Sequence, residues 1–396
     1  MMAAITAAEA GFSVLIIEKN RDCGKKLSIT GKGRCNLTND SSIGDVMNNI
    51  PTNGRFLYSS LSAFPPSETM DFFRSLGVEL KTERGGRVFP ASDKAQDVVD
   101  AMRKELSRRK VAVIHSQARG LLISDSSVMG VRTADADYIC RKVLVATGGL
   151  SYPRTGSTGD GYEFARQAGH TVTECTGSLV PLESCDRECA MMQGLSLRNV
   201  AIDLRTDKGR SVYTDFGEML FTHFGVSGPV ILSASAHMRG NEGVPMRLFI
   251  DLKPALDEKK LDQRLLRDIS EGKNRNYSTI LSGLMHPLMI PVAIMRTGIP
   301  ADTKVHSLTR QQRRSLLEFL KGFSISITAK RPVDEAVITS GGVNVAEINP
   351  STMESKLIKG LYFAGEIIDT DAYTGGFNLQ IAWSTGRAAG TAMRSR

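Results

Sequence analysis

The sequence predicts an α/β fold in which both ends of the chain build one domain around an inserted middle region. Three observations predict it. Met2–Ala10 reads as a helix of small residues closed by Gly11, followed by an apolar strand, Phe12–Ile17, that ends at Glu18. Leu361–Ala364 is a short apolar strand running into Gly365-Glu366, and Gly375-Gly376 then precede a small-residue helix over Asn378–Gly390. Between these ends, from about Val180, the texture changes to alternating strands and then to basic helices.

The N-terminal helix, strand and acid match the second half of a Rossmann βαβ unit, with Glu18 placed to bind ribose hydroxyls. The first strand of such a unit and its G-x-G-x-x-G turn belong just before residue 1. The in-frame DNA upstream of Met1 is therefore expected to encode them, because deleting a central parallel strand would expose both its neighbours. Stop codons immediately upstream of a chain that still folds and binds its cofactor would count against this expectation. A signal peptide is a poor reading, since there is no basic n-region and Glu9 interrupts the apolar run. At the other end, the helix start beside Gly376 offers free N–H groups and a positive dipole to phosphates or to a carbonyl-rich ring. A tight strand-to-helix turn without a ligand fits the same local pattern.

Composition narrows the class. The 396 residues are enough for two or three domains, and 41% hydrophobic with 23% charged residues is ordinary for a globular chain. No stretch approaches 18 consecutive apolar residues, so no membrane span is expected. A net charge of +8 favours acidic partners without naming one. The six cysteines form no C-x-x-C and have no zinc-ligand spacing with histidine, which argues for free thiols in a reducing cytoplasm. Cys23 and Cys35 are too far apart in sequence for a closely spaced redox pair, so a redox disulfide is disfavoured. No Ser/His/Asp pattern supports hydrolase chemistry, and Gly225-Val-Ser-Gly misses the nucleophile elbow.

The elements follow in order. A glycine- and lysine-rich loop spans Asp22–Asn36. Ser67–Leu76 reads as a helix closed by Gly77, Glu83–Phe89 as a hairpin through Gly85-Gly86, and Asp93–Arg109 as an amphipathic helix. Val111–His115, Ala118–Ser124, Val128–Thr133 and Tyr138–Val145 read as strands, the last running into Ala146-Thr-Gly-Gly. The domain boundaries are placed at 1–180 with 340–396, a β-rich insert over 181–253 with 323–339, and a helical insert over 254–322. That helical stretch carries Lys273-Asn-Arg-Asn and Arg310-Gln-Gln-Arg-Arg.

Candidate site residues cluster on the glycine-rich segments. Lys25, Lys26 and Arg34 offer charge to a pyrophosphate, and glycines beside them allow close approach, although a solvated basic loop is the plainer reading. Asn36, Thr38 and Asn39 could form turns or meet polar edges of a ligand. Thr147 and Gly148 lie at a strand end before a second glycine-rich loop, Ser151–Gly161. Gly365, Glu366, Gly376, Phe377, Asn378 and Leu379 form the C-terminal set, and Ala118 completes it.

These segments carry a resemblance. The C-terminal arrangement resembles the flavin-binding segment of two-dinucleotide-binding-domain flavoproteins. Gly24-Lys-Lys-Leu-Ser-Ile-Thr-Gly-Lys-Gly-Arg-Cys-Asn, Ala146-Thr-Gly-Gly-Leu-Ser-Tyr-Pro, Gly156-Ser-Thr-Gly-Asp-Gly-Tyr, Leu220-Phe-Thr-His-Phe-Gly-Val-Ser-Gly-Pro, Ile338-Thr-Ser-Gly-Gly-Val and Tyr373-Thr-Gly-Gly-Phe-Asn-Leu-Gln occur in that order. As a set they resemble the BaiN/YhiN-type flavoproteins, also described as aminoacetone-oxidase-like, over almost the whole chain. The resemblance implies an FAD-binding Rossmann domain carrying inserted β-barrel-like and helical domains, FAD as cofactor and NAD(P)H as electron donor. It also implies saturation of a C=C bond conjugated to a carbonyl. One branch of the family acts on 3-oxo-Δ4,6 bile-acid intermediates, another on a uridine of large-subunit rRNA; an amine or aminoketone oxidase is a further alternative. The loop motifs look closer to the clostridial, bile-acid branch, so a small steroid enone is the favoured substrate and rRNA the second. Such a reaction needs a donor at the developing enolate oxygen and an acid at the α-carbon. Tyr152 and Tyr373, on the two cofactor loops, are the candidates, and either could equally be a packed aromatic.

Overall fold

The structure is a computed structural model that describes residues 1–393 apart from Glu242. The chain divides into two compact units, residues 1–178 with 332–396 and residues 179–331. The segment 332–339, read from sequence as part of the insert, falls in the first unit because its strand pairs there.

In the first unit, α1 (Met2–Glu9) is followed by β1 (Leu15–Glu18), and Gly11 takes φ +85° as the left-handed residue that closes the helix. α2 (Lys25–Gly33) begins within the segment read as a loop, and its helical geometry fails at Thr30–Lys32. A small antiparallel sheet follows, with strand order β2 (Thr38–Asn39), β4 (Arg87–Pro90), β3 (Leu80–Glu83). Its hairpin turns through Gly85 and Gly86, both at positive φ, as the glycine pair requires. The amphipathic helix α3 (Ala95–Arg108) starts two residues later than its sequence pattern suggests. Asp93 is drawn away from capping it by salt bridges to Arg34 and Lys81.

β5 (Ala112–His115) pairs in parallel with β1, and β6 (Ala118–Ser124), β7 (Ser127–Thr133) and β8 (Asp137–Ile139) form a meander. The stretch read as one strand over Tyr138–Val145 is two, because the chain leaves the meander at Cys140. β9 (Val143–Val145) then pairs in parallel with β19 (Leu361–Phe363) instead. α4 (Asp160–Gln167) follows the second glycine-rich loop. β10 (Thr176–Ser178) pairs with β18 (Ile338–Ser340), so Ala336–Val345 contains only three strand residues.

The long C-terminal helix α7 (Phe377–Ala392) packs on α1 through its small residues. A Cβ on Gly390 would stand 2.6 Å from the Ala3 carbonyl oxygen, so the two backbones nearly touch. Trp383 anchors the other side of α7, donating to the Leu37 carbonyl at 2.9 Å and meeting Phe73 edge-on.

The second unit is a seven-stranded antiparallel sheet with helices, sharing one hydrophobic core. Its strand order is β16 (Phe323–Ile327), β15 (Met246–Asp251), β12 (Ser196–Thr206), β13 (Ser211–Thr222), β14 (Gly225–Ser227), β11 (Leu182–Glu183), β17 (Ala329–Lys330). The helices α5 (Glu258–Glu271) and α6 (Arg310–Gly322) bury Leu261, Leu265, Leu316, Leu317 and Leu320 in the same core as the strands. The β-rich and helical stretches thus share an interior. No helix among the described residues is long and apolar enough to cross a membrane.

One buried cluster is expected to give the first unit a pH dependence. His170 bonds Ser355 Oγ at 2.7 Å and Glu347 Oε2 at 3.1 Å, with Phe363 against its ring. Burial lowers the His170 pKa, and the nearby Glu347 carboxylate only partly offsets this. Burial pushes Glu347 up, but hydrogen bonds from Thr171 and the His170 partner leave it below its usual range. Both shifts have the same sign for stability: the folded state binds fewer protons than the unfolded one. Stability is full above the unfolded histidine value of about 6.5 and falls below it, by at most about 1.4 kcal/mol per pH unit for each proton. Thermal melts at pH 7.5, 6.5 and 5.5 are expected to show this decline, and His170→Gln to flatten its upper part. An unchanged slope in the variant would assign the decline elsewhere.

Candidate functional site

β9 and β19 lie parallel in register, Val145 beside Phe363, so the loops that follow them leave from the same end. Those loops carry Thr147-Gly148-Gly149 and Gly365-Glu366. They approach closely: a Cβ on Gly149 would stand 2.7 Å from Thr339 Cβ and 3.0 Å from Glu366 Oε1. The Glu366 carboxylate accepts from Ser151 Oγ at 2.8 Å and from the Thr339 N–H at 3.0 Å, and is ion-paired with Lys26. Lys26 also donates to Ser151 Oγ at 2.7 Å, and Thr339 Oγ1 accepts from the Leu150 and Ser151 N–H groups. Lys26 and Glu366 are thus brought together, with Ser151 and Thr339 as partners not singled out from sequence. Both lie inside quoted motifs, but nothing local marks them as neighbours.

Tyr152 follows Ser151 at φ +54°, and its ring centroid is 6.0 Å from Lys26 Nζ. It is 39% exposed, so its side chain is open to solvent beside the cluster. Tyr373 lies on the other loop, where its N–H donates to the Asn49 carbonyl. Asn378 fixes that turn, accepting from the Ala372 N–H at 2.9 Å and donating to the Ala372 carbonyl.

The start of α7 is reached through Gly375 and Gly376, at φ +127° and +100°, and has no side-chain cap. Asn39 donates to the Gly375 carbonyl at 2.9 Å. Asn36, with its amide turned to satisfy both neighbours, accepts from the Gly376 N–H at 3.0 Å and donates to the Thr38 carbonyl. Phe377 is buried with Val46, Leu57 and Leu61, and Leu379 packs beside Trp383. Their side chains serve the core, which leaves backbone N–H groups as what this helix end offers a ligand. Beneath the Asn36 contact, Gly31, Lys32, Gly33 and Cys35 all take positive φ. A Cβ on Gly33 would meet nothing within 4 Å. Lys25 is exposed, with no ion-pair partner among the described residues.

Arg34 is in a different network. Its guanidinium bonds Glu83 and Asp93 at 2.5 Å each and stacks over Phe89 at 4.2 Å. Its hydrogen bond to Glu83 and then that to Asp93 raise its pKa; the Arg34 bond holds Glu83 below its usual range, and the Lys81 bond, then the Arg34 bond, do the same for Asp93. The fork read from sequence as a pyrophosphate contact is filled by these carboxylates.

Glu18 ends β1 opposite His115 of β5. Its Oε1 accepts from the Asn20 N–H and side-chain amide, both at 2.8 Å, and Asn20 also donates to the Thr155 carbonyl on the second glycine-rich loop. Ala118 opens β6 three residues beyond His115. If Glu18 also holds ribose hydroxyls, Glu18→Ala should weaken FAD retention by about 1.5–3 kcal/mol, as for lost charge-assisted hydrogen bonds. Flavin released on dilution measures this, and unchanged retention would leave Glu18 with only its contact to Asn20.

The geometry has a counterpart in known proteins. Residues 1–392 match the family described as HI0933-like protein Rossmann domain. The chain belongs to this family. It is 31% identical to a 3-dehydro-bile acid Δ(4,6)-reductase of Clostridium scindens, over 100% of this chain and 97% of that protein. It is 28% identical to a ribosomal RNA dihydrouridine synthase of Escherichia coli, over 97% of this chain and 93% of that one. The corresponding Haemophilus influenzae enzyme is 26% identical, over 98% and 94%. Among solved structures, an open flavocytochrome c3 fumarate reductase superposes with a TM-score of 0.52 at 16% identity, covering 99% of this chain and 76% of that one. The HI0933-like family member is thus an oxidoreductase of the BaiN/YhiN type with an FAD-binding Rossmann fold. Its own residues suit FAD: the sixteen-residue helix α7 begins without a side-chain cap beside the Gly375-Gly376 turn, and Glu18 keeps one carboxylate oxygen outside its bonds to Asn20.

Proposed function

We propose that the protein reduces a C=C bond conjugated to a carbonyl, using FAD and electrons from NAD(P)H, in the cytoplasm. The observation that carries this reading is the Lys26–Ser151–Glu366–Thr339 cluster, with the exposed Tyr152 beside it, at the common end of β9 and β19. FAD, when bound, supplies two-electron hydride chemistry. The N–H groups at the start of α7, Glu18 and the Thr147–Gly148 turn would hold it. Lys26, whose donors go to Ser151 and Glu366, fixes the loop that carries Tyr152. The Tyr152 phenol, or that of Tyr373, donates the proton that completes saturation.

A steroid enone of the bile-acid type is the leading substrate, supported by full-length 31% identity to a bile-acid Δ(4,6)-reductase. Uridine in ribosomal RNA is the second reading. A set of cations on α5 whose donors are not saturated by acids favours it. In the basic run Arg310-Gln-Gln-Arg-Arg, by contrast, Arg313 is bonded to Asp262 and Arg314 to Glu318 and Glu258. Charge reversal there would break these pairs as well, so it is a poor probe.

The test is anaerobic stopped-flow reoxidation of the reduced enzyme by a panel of steroid enones, a pyruvate-type ketone and rRNA, at several salt concentrations. For the leading reading, reoxidation by a steroid enone changes little with salt. An RNA substrate engaging six or more phosphates would lose roughly 10³ or more in binding between 50 and 200 mM salt, somewhat less if single-stranded. A steep salt slope together with no reoxidation by any steroid enone would overturn the leading reading.

A further inference from the structure

The helix α5 carries a second feature, unconnected with the flavin loops. Leu261 and Leu265 point into the core, and three-to-four-residue spacing sets Lys260, Gln263, Arg264 and Arg267 along one opposite stripe. With Leu256 from the preceding loop, these residues line an open cavity of about 460 Å³. Three other basic side chains of this unit are held by acids within hydrogen-bond reach: Arg313 by Asp262 at 2.8 Å, Arg296 by Glu188 at 2.6 Å, Lys321 by Asp251 at 2.5 Å. In the cavity the nearest acids stand further off. Lys260 is 3.5 Å from Asp257, Arg264 3.6 Å and Arg267 3.8 Å from Asp268, long ion pairs in which Asp268 is shared by two arginines. Asp257 is already committed, accepting from the Lys260 N–H to cap the helix.

Beside this stripe lies Lys253. It is half-buried, and its ammonium has no hydrogen-bond or ion-pair partner among the described residues. Burial, and then the Arg264 charge, hold it below the usual lysine range. Four cations facing two acids leave about two positive charges unmatched. Lys260 to Arg267 spans roughly 10 Å along the helix at 1.5 Å per residue, too long for one carboxylate and suited to two adjacent phosphates. The lining has no aromatic ring on which a base could stack, so recognition rests on phosphate charge.

We propose that the α5 cavity is a binding site for a ligand carrying two adjacent phosphate esters, held by Lys253, Lys260, Arg264 and Arg267. A pyrophosphate-bearing dinucleotide and the backbone of a single-stranded nucleic acid both supply that chemistry. The site is independent of which alkene the flavin reduces.

The experiment measures binding rather than turnover. Inorganic pyrophosphate, NADPH and a twelve-nucleotide uridine-rich RNA are titrated by calorimetry into the full-length holoenzyme at 50 mM salt, with acetate as a monoanionic control. The same titrations follow for Lys260→Gln/Arg264→Gln and, as a control outside the cavity, for Lys273→Gln. Pyrophosphate is expected to bind the wild type, and the double variant to bind it at least tenfold more weakly while Lys273→Gln is unchanged. NADPH affected alongside pyrophosphate assigns the site to a dinucleotide. RNA affected, with its log–log salt slope reduced by about one for each cation removed, assigns it to a nucleic-acid backbone. An unchanged melting temperature in the double variant shows that the loss is not unfolding. Should that variant unfold, Lys260→Gln alone, whose side chain is largely exposed, gives the same readout. Absence of pyrophosphate binding, acetate binding as tight as pyrophosphate, or equal loss in Lys273→Gln would each overturn the proposal. None of these outcomes depends on flavin reduction.

Discussion

Gly376→Ala is expected to destabilise the first unit by more than about 4 kcal/mol, lowering its apparent melting temperature by on the order of 10 °C. The residue joins the Gly375 turn to α7 at φ +100°, where an L side chain is itself strained. Space is the larger problem. A Cβ there would sit on the Thr38 carbonyl and 2.9 Å from Thr38 Cα. Both neighbours are backbone, and Thr38 cannot retreat. It is buried in the β2–β4 pairing, and its hydroxyl bonds Gln380 at 2.5 Å. The Asn36 contact to the Gly376 N–H would be lost with any shift. Gly33→Ala is the matched control, because that site is also left-handed, at φ +83°, but has nothing within 4 Å of the added carbon. It should cost only the conformational penalty, about 1–2 kcal/mol. Equal effects of the two substitutions in a thermal melt would show that the close approach of Thr38 is not what Gly376 serves.

Legibility in the sequence tracked the range of the physics. Where a single residue's backbone decides the outcome, the reading was right: Gly11 and Gly77 close their helices, and Gly85-Gly86 turn the hairpin, all at positive φ. Apolar periodicity placed α3 and α7 within a few residues. Long-range polar partners were not legible. Thr339 meets Ser151 across 188 residues, and the two only become neighbours because β9 and β19 run parallel while β18 pairs with β10. Arg34 looked like a phosphate contact because its loop is rich in glycine and lysine. Its partners, Glu83 and Asp93, lie 49 and 59 residues further on and are delivered by the β3–β4 hairpin and the turn after it. The break at Cys140 was missed for a related reason. The stretch is largely apolar on both sides of Arg141-Lys142, and the change of pairing partner, from β7 to β19, divides it.

The same distinction shapes the second large effect, at Lys26 and Glu366. Glu366 is 10% exposed and Lys26 25% at the side chain, so the pair is sheltered without being dry. Removing one partner leaves the other charge poorly solvated, which in fully buried pairs costs about 3–5 kcal/mol. Partial exposure reduces this, and about 2–3 kcal/mol is expected for Glu366→Gln. The amide keeps an acceptor for the Thr339 N–H and Ser151 Oγ but no longer balances Lys26. Lys26→Met should cost a similar amount, by leaving the carboxylate with two neutral donors. The double variant is the discriminating protein. If the four groups act as one cluster, it should be more stable than the sum of the single losses implies, by about 0.5–3 kcal/mol of coupling. Because the pair joins the loop after β19 to the start of α2, flavin retention is expected to fall in both single variants and to recover partly in the double. Strict additivity in urea melts, with flavin content unchanged in all three proteins, would reduce Lys26–Glu366 to an incidental surface contact.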